Sequence, residues 1–154
     1  MEFDLGEQLA KSPPVIVFIN DRDVYNYRYR GEVINELKKR HYKVFSAALD
    51  RPFGLLKFFV KSLLQPSKFK IFSSNLRANI LVLCLSRSPA TILLNGLGRY
   101  RRKKLFRWFL IFILRLNRDK TILVQNYADF RFFKFYCIDA KWIPGSGGRR
   151  LRTS

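Results

Sequence analysis

From Arg51 to Arg118 the sequence contains no acidic residue. Eight of its 11 acids lie at or before Asp50, and Asp119, Asp129 and Asp139 make up the rest. Set against 30 Lys and Arg, this leaves a formal net charge of +19. Solvation is the plain account of the overall charge, but it explains the acid-free stretch less well. A one-sided field calls for a polyanionic counterpart: nucleic acid, an anionic membrane or phosphorylated small molecules. Histidine is nearly absent as well. His41 stands alone at the end of a predicted helix, on the side away from where ligands are expected. No serine–histidine–acid set, paired-carboxylate site or metal cluster can be assembled, so the chain shows no catalytic machinery of its own and implies no metal or cofactor. The two cysteines, Cys84 and Cys137, sit among apolar neighbours without ligand-like spacing. They read as buried, reduced thiols and point to a cytoplasmic compartment. The pattern of a secretory signal is missing, since the first apolar run follows an acidic start and Pro13-Pro14. The longest apolar run, Trp108 to Leu114, is far short of the roughly 20 residues a bilayer crossing needs.

What is present is a core-forming composition, 48% hydrophobic over 154 residues, which suits one folded domain and excludes disorder. Short apolar strands alternate with helical stretches. Strands are predicted at 15–19, 43–49, 68–73, 91–94, 121–124 and 141–143, and helices at 29–41, 50–64, 75–86, 100–117 and 129–136. Asp50-Arg51-Pro52 predicts a helix start, with the acid as N-cap and the proline in the first turn. This alternation predicts a single α/β domain of Rossmann-like type over residues 15–143, a mostly parallel sheet with helices on both faces. Residues 1–14 read as an N-terminal extension and 144–154 as the start of a linker and tail. In such sheets ligands bind beyond the carboxyl ends of the strands, which selects Asn20 to Arg22, Asn95 to Tyr100 and Gln125 to Asp129.

Asn95-Gly96-Leu97-Gly98-Arg99 lies between a predicted strand and a predicted helix, the context of an anion-binding turn. It is not a dinucleotide fingerprint, because the third glycine of that pattern would fall at Arg101. A tight strand-to-helix turn is the plain alternative, and the basic run that follows favours an anionic ligand. That run, Arg99 to Lys104, opens a helix whose middle carries Trp108, Phe109 and Phe112. Cations at a helix start oppose its dipole, and contact with lipid phosphates would offset that cost. The helix after Asp50 places Lys57 and Lys61 among more apolar surface than one core-facing stripe requires. Each helix has two readings, membrane-facing or buried on two sides. As a membrane surface, the expected residues are Lys57, Lys61, Arg101, Arg102, Lys103, Lys104 and Trp108.

Three ordered segments resemble the N-terminal domain of glycosyltransferase family 4, a GT-B family: Asn95 to Gly98 (NGLG), Thr121 to Phe130 (TILVQNYADF), and Ile143 to Gly147 (IPGSG). The resemblance runs from about Val15 onward. It implies transfer of a sugar from a nucleotide-sugar donor, with this domain shaping the acceptor side and a second Rossmann-like domain holding most of the donor contacts. It further implies a saccharide acceptor linked to a polyprenyl diphosphate, at the inner face of the cell membrane. On this reading Asn20, Arg22, Gly96, Gly98, Arg99 and Asn126 face acceptor or phosphate, and Pro144, Gly145, Ser146 and Gly147 form the interdomain linker. Gly148-Arg149-Arg150 departs from the family's usual continuation. The expectation is an incomplete enzyme, inactive alone, completed by a separate or downstream donor-binding domain. The catalytic residue is unassigned. A basic nucleic-acid-binding module and a non-functional remnant are the competing readings, though no recognition helix or RNA-binding aromatic motif accompanies the charge.

Overall fold

The structure, a computed structural model, describes residues 13–144. The chain alternates strand and helix throughout: β1 (Val15–Asn20), α1 (Asp23–Lys39), β2 (Val44–Ala48), α2 (Pro52–Leu64), β3 (Phe69–Ser74), α3 (Leu76–Leu85), β4 (Ala90–Leu94), α4 (Lys104–Leu116), β5 (Thr121–Val124), α5 (Tyr127–Phe135) and β6 (Ala140–Trp142). The six strands form one all-parallel sheet in the order β2-β1-β3-β4-β5-β6. This is a Rossmann-like, doubly wound α/β domain, with its change of winding direction between β1 and β3.

The winding fixes which helix lies where. Right-handed crossovers put α1, on the step from β1 to β2, over one face, and α2 to α5, on the steps the other way, over the opposite face. Burial agrees with this. Val17, Ile19, Ile71, Ile92, Leu94, Ile122 and Val124 pack in one cluster with residues of α2, α3, α4 and α5 and with none of α1. The intervening strand residues Phe18 and Leu93 are buried outside that cluster. On the α1 side Phe18 meets Phe72 at 5.5 Å between ring centroids, and the Arg30 guanidinium lies 5.3 Å from the Phe72 ring. Burial there pulls the Arg30 pKa below its ordinary value. Helices therefore cover both faces, unevenly: four against one among the described residues.

Several local expectations are corrected. The first helix begins at Asp23, not at Tyr29. Asp50 does not cap the helix that follows it; Arg51 holds the N-cap position without a side-chain bond. Both Asp50 carboxylate oxygens lie 3.3 Å from the Asp23 N–H and so serve the start of α1 instead. The predicted helix from Tyr100 divides into a 3-10 turn, Gly98–Arg102, and α4, which starts at Lys104. Most of the basic run thus lies ahead of the helix, where it opposes the dipole less. Cys84 and Cys137 are exposed rather than buried.

Two helices end in a residue with left-handed backbone. His41 (φ 64°) follows α1, with its own N–H donating to the Lys38 carbonyl and the Tyr42 N–H to that of Leu37. Cys137 (φ 55°) follows α5, with its N–H on Lys134 and the Ile138 N–H on Phe133. Both are Schellman closures with a non-glycine at the position glycine usually fills.

Candidate functional site at the carboxyl edge of the sheet

Asparagine stands at the carboxyl end of each of the four central strands: Asn20 closes β1, Asn75 follows β3, Asn95 follows β4 and Asn126 lies just beyond β5. At the β1–β3 switch three of them are joined. The Asn20 amide donates to the Ser74 hydroxyl at 3.0 Å, while its oxygen accepts from the Asp21 N–H and from the Asn75 amide. The Asn95 amide donates in turn to the Asn75 oxygen at 3.2 Å. Asn20 is buried and its groups are engaged, so it sets the floor of the edge; Asn95 is exposed. Asn75 has φ 72° and ψ 145°. That region suits glycine, and a side chain held there stores of order 1–3 kcal/mol of strain. Its amide bonds to Asn20 and Asn95 help to hold it.

The Asn95-Gly96-Leu97-Gly98 turn is the second part. Gly96 (φ 148°) and Gly98 (φ 49°) take conformations that side-chain-bearing residues avoid. Asp129, buried in the first turn of α5, accepts from the Leu97 N–H at 2.9 Å and pairs with Arg101 at 3.5 Å. This bond anchors the turn against α5. The Asn126 side chain accepts from the Ala128 N–H at 2.9 Å and caps α5, so its oxygen already has a partner. Arg22 and Arg99 are exposed, as are both glycines.

The acids at this edge are all engaged. Asp21 accepts from Ala78 N–H, the third residue of α3, and so caps that helix from a neighbouring loop. Asp23 takes the Ser46 hydroxyl and pairs with Arg51 at 3.3 Å. Asp23 and Asp129 are paired with arginines while Asp21 and Asp50 bond only to backbone N–H groups, so with Arg22, Arg99, Arg102, Lys103 and Lys104 beside them the edge is net cationic. Such an edge can bind and orient an anionic, hydroxyl-rich ligand. No group of histidine, cysteine and acid side chains fit to hold a metal occurs among the described residues.

The residues expected to face a membrane lie mainly on the four-helix side. Lys57 and Lys61 are exposed on α2, in company with the exposed Phe53, Leu56, Val60, Leu63 and Leu64. Trp108 is exposed on α4, together with Leu105, Phe109, Phe112 and Leu116. Arg102, Lys103 and Lys104 are exposed at the start of that helix, whereas half-buried Arg101 turns onto Asp129. Between the two stripes, α3 presents Cys84 and Leu85. No described helix is long and apolar enough to cross a membrane. Of the expected linker, Pro144 is exposed and Gly145, Ser146 and Gly147 lie outside the described residues. An open concavity of about 540 Å³ lies elsewhere, beside α1 at the amino edge, lined by Ile16, Val33, Leu37 and Lys70. It contains none of the carboxyl-edge groups.

Asn75 lies outside the segments selected from the sequence, whereas Asp21 and Asp129 lie inside them without a role assigned. The recurrence of asparagine after successive strands is the sequence signal that could have found Asn75. The roles of the two acids depend on contacts across 57 and 32 residues of chain. No family model matches this chain, and no curated protein or solved structure matches it.

Proposed function

We propose that this chain is the acceptor-side domain of a glycosyltransferase, working on a lipid-linked saccharide at an anionic membrane surface on the cytoplasmic side. The donor nucleotide is then held mainly by another domain. The observation that carries the reading is the bond from the Leu97 N–H to Asp129. It brings together two of the three segments on which the family resemblance rests, the glycine turn and the QN-x-x-D segment, at the edge where doubly wound sheets bind ligands.

The membrane part is supported by the outer surface of α2, α3 and α4. Large side chains such as Phe53 (86% exposed) and Leu105 (88% exposed) stand among lysines and arginines without an acid on these three helices. Apolar side chains set among cations suit the boundary between headgroups and acyl chains.

Flotation with phosphatidylglycerol-containing vesicles tests the surface, and sugar transfer tests the division of labour. The expected result is binding to anionic but not zwitterionic vesicles, no transfer by the chain alone, and transfer once a donor-binding domain is supplied. Full transfer by the 154-residue chain, or preferential binding to generic RNA without vesicle binding, would overturn the proposal.

A further inference from the structure

At the far end of the carboxyl edge two large aromatic side chains stand in the open. Tyr127, the first residue of α5, is 54% exposed, and Trp142, the last residue of β6, is 46% exposed. Their rings meet nearly edge to face, 5.3 Å between centroids at 69°. Phe130 adds a third ring 5.9 Å from Tyr127. The pair is held from several sides. Val124 is Trp142's partner in the sheet register, and the Ile143 N–H donates to the Val124 carbonyl at 2.9 Å. Asn126 caps the helix that carries Tyr127. Two rings fixed in this way lose little freedom when a ligand covers them, unlike long flexible side chains.

The neighbours define what would cover them. Tyr127 lies two residues from Asp129, whose carboxylate holds the glycine turn. β4, β5 and β6 are successive strands of the parallel sheet, so exposed Asn95, Gly96 and Arg99 beyond β4 lie on the same carboxyl edge as Tyr127 beyond β5 and Trp142 at the end of β6. Amide groups both donate and accept, as sugar hydroxyls do. The C–H face of a pyranose is apolar and slightly positive, and it stacks on the electron-rich face of an aromatic ring. A cation completes the set for a phosphate. The geometry points to a saccharide subsite in which Trp142 and Tyr127 carry the sugar ring and Arg99 takes the phosphate. This inference rests on the proposed function and deepens it, by assigning the sugar of the acceptor to residues the family resemblance did not single out.

Saturation-transfer NMR with glucose 1-phosphate and N-acetylglucosamine 1-phosphate tests it on the full chain, with vesicle flotation in parallel. Expected are transfer to the sugar ring protons in the wild type, at least a tenfold weaker affinity in Trp142→Ala and in Tyr127→Ala, and near-complete recovery in Trp142→Phe. Vesicle binding should stay unchanged in all three variants. Circular dichroism separates loss of binding from loss of fold, and Trp142→Phe keeps the test decisive if the alanine variants unfold. Sugar binding that persists undiminished in both alanine variants overturns the subsite while leaving the acceptor-domain reading standing. No detectable transfer to either sugar phosphate, or binding of oligonucleotide bases that depends on Trp142, overturns both.

Discussion

His41 and Cys137 show how much a single position can cost. Each occupies the left-handed residue that closes a helix, and each has a Cβ where glycine has none. His41→Gly and Cys137→Gly are each expected to raise stability by about 0.5–1 kcal/mol, the relief of backbone strain exceeding the extra freedom gained by the unfolded chain. Urea unfolding with unchanged m-value checks this. Asp129 shows the converse. Asp129→Ala leaves the Leu97 N–H and Arg101 without their buried partner and should cost about 2–3 kcal/mol. Asp129→Asn keeps an acceptor and should cost about half as much. Thermal melts order the two variants, and equal losses would show that the anchoring bond contributes nothing. Little of this could be read from the sequence: the capping of α1 and α3 by acids from other loops exists only once the strands have been brought together.

The elements were largely legible, and the exceptions are instructive. The apolar runs of β1, β4 and β5 identified themselves, because a strand covered on both faces has no room for charge. The first turns of α1 were not legible. Tyr25, Tyr27 and Tyr29 alternate with polar residues at a period of two, which conceals a helix whose packing is carried by buried Asn26 and Ile34. Asn26 reaches the Ser46 hydroxyl at 2.8 Å and the Ala47 carbonyl at 3.2 Å, a role no periodicity announces. The cysteines were misplaced for a different reason. Apolar neighbours ordinarily imply burial, but the helices flanking Cys84 turn apolar side chains outward. Leu105→Glu combined with Phe112→Glu is expected to lower anionic-vesicle affinity more than tenfold while leaving the melting temperature within a few degrees, since both side chains are exposed. Flotation and calorimetry on the same samples check the pair. Cys84 provides a reporter on the same layer. Its partly desolvating surroundings push the thiol above its ordinary value of 9.0, so at pH 9 less than half of it is thiolate and its alkylation rate should still lie below half its maximum. Mass-spectrometric labelling across pH 7–11 measures this, and a half-maximal rate reached at or below pH 9 would contradict it.

For the whole molecule, the doubly wound architecture followed from strand–helix alternation, while the winding order and the uneven cover of the sheet required the structure. The order β2-β1-β3 puts the switch beside Asn20 and Asn75, so the position of the candidate site follows from topology, whereas its chemistry depends on side chains. The outward-facing α2–α4 surface also has a consequence for the chain as a colloid. Two opposed forces act between copies: repulsion from a net charge of +19, and attraction between apolar surfaces. Added salt shortens the reach of the first, from about 30 Å at 0.01 M to about 8 Å at 0.15 M, and leaves the second nearly intact. The osmotic second virial coefficient measured by static light scattering should accordingly be positive in dilute buffer and change sign as salt is raised. The Leu105→Glu, Phe112→Glu variant should stay positive to higher salt, since it weakens the attraction while retaining most of the charge. Dilute buffer is then the condition in which this chain remains dispersed.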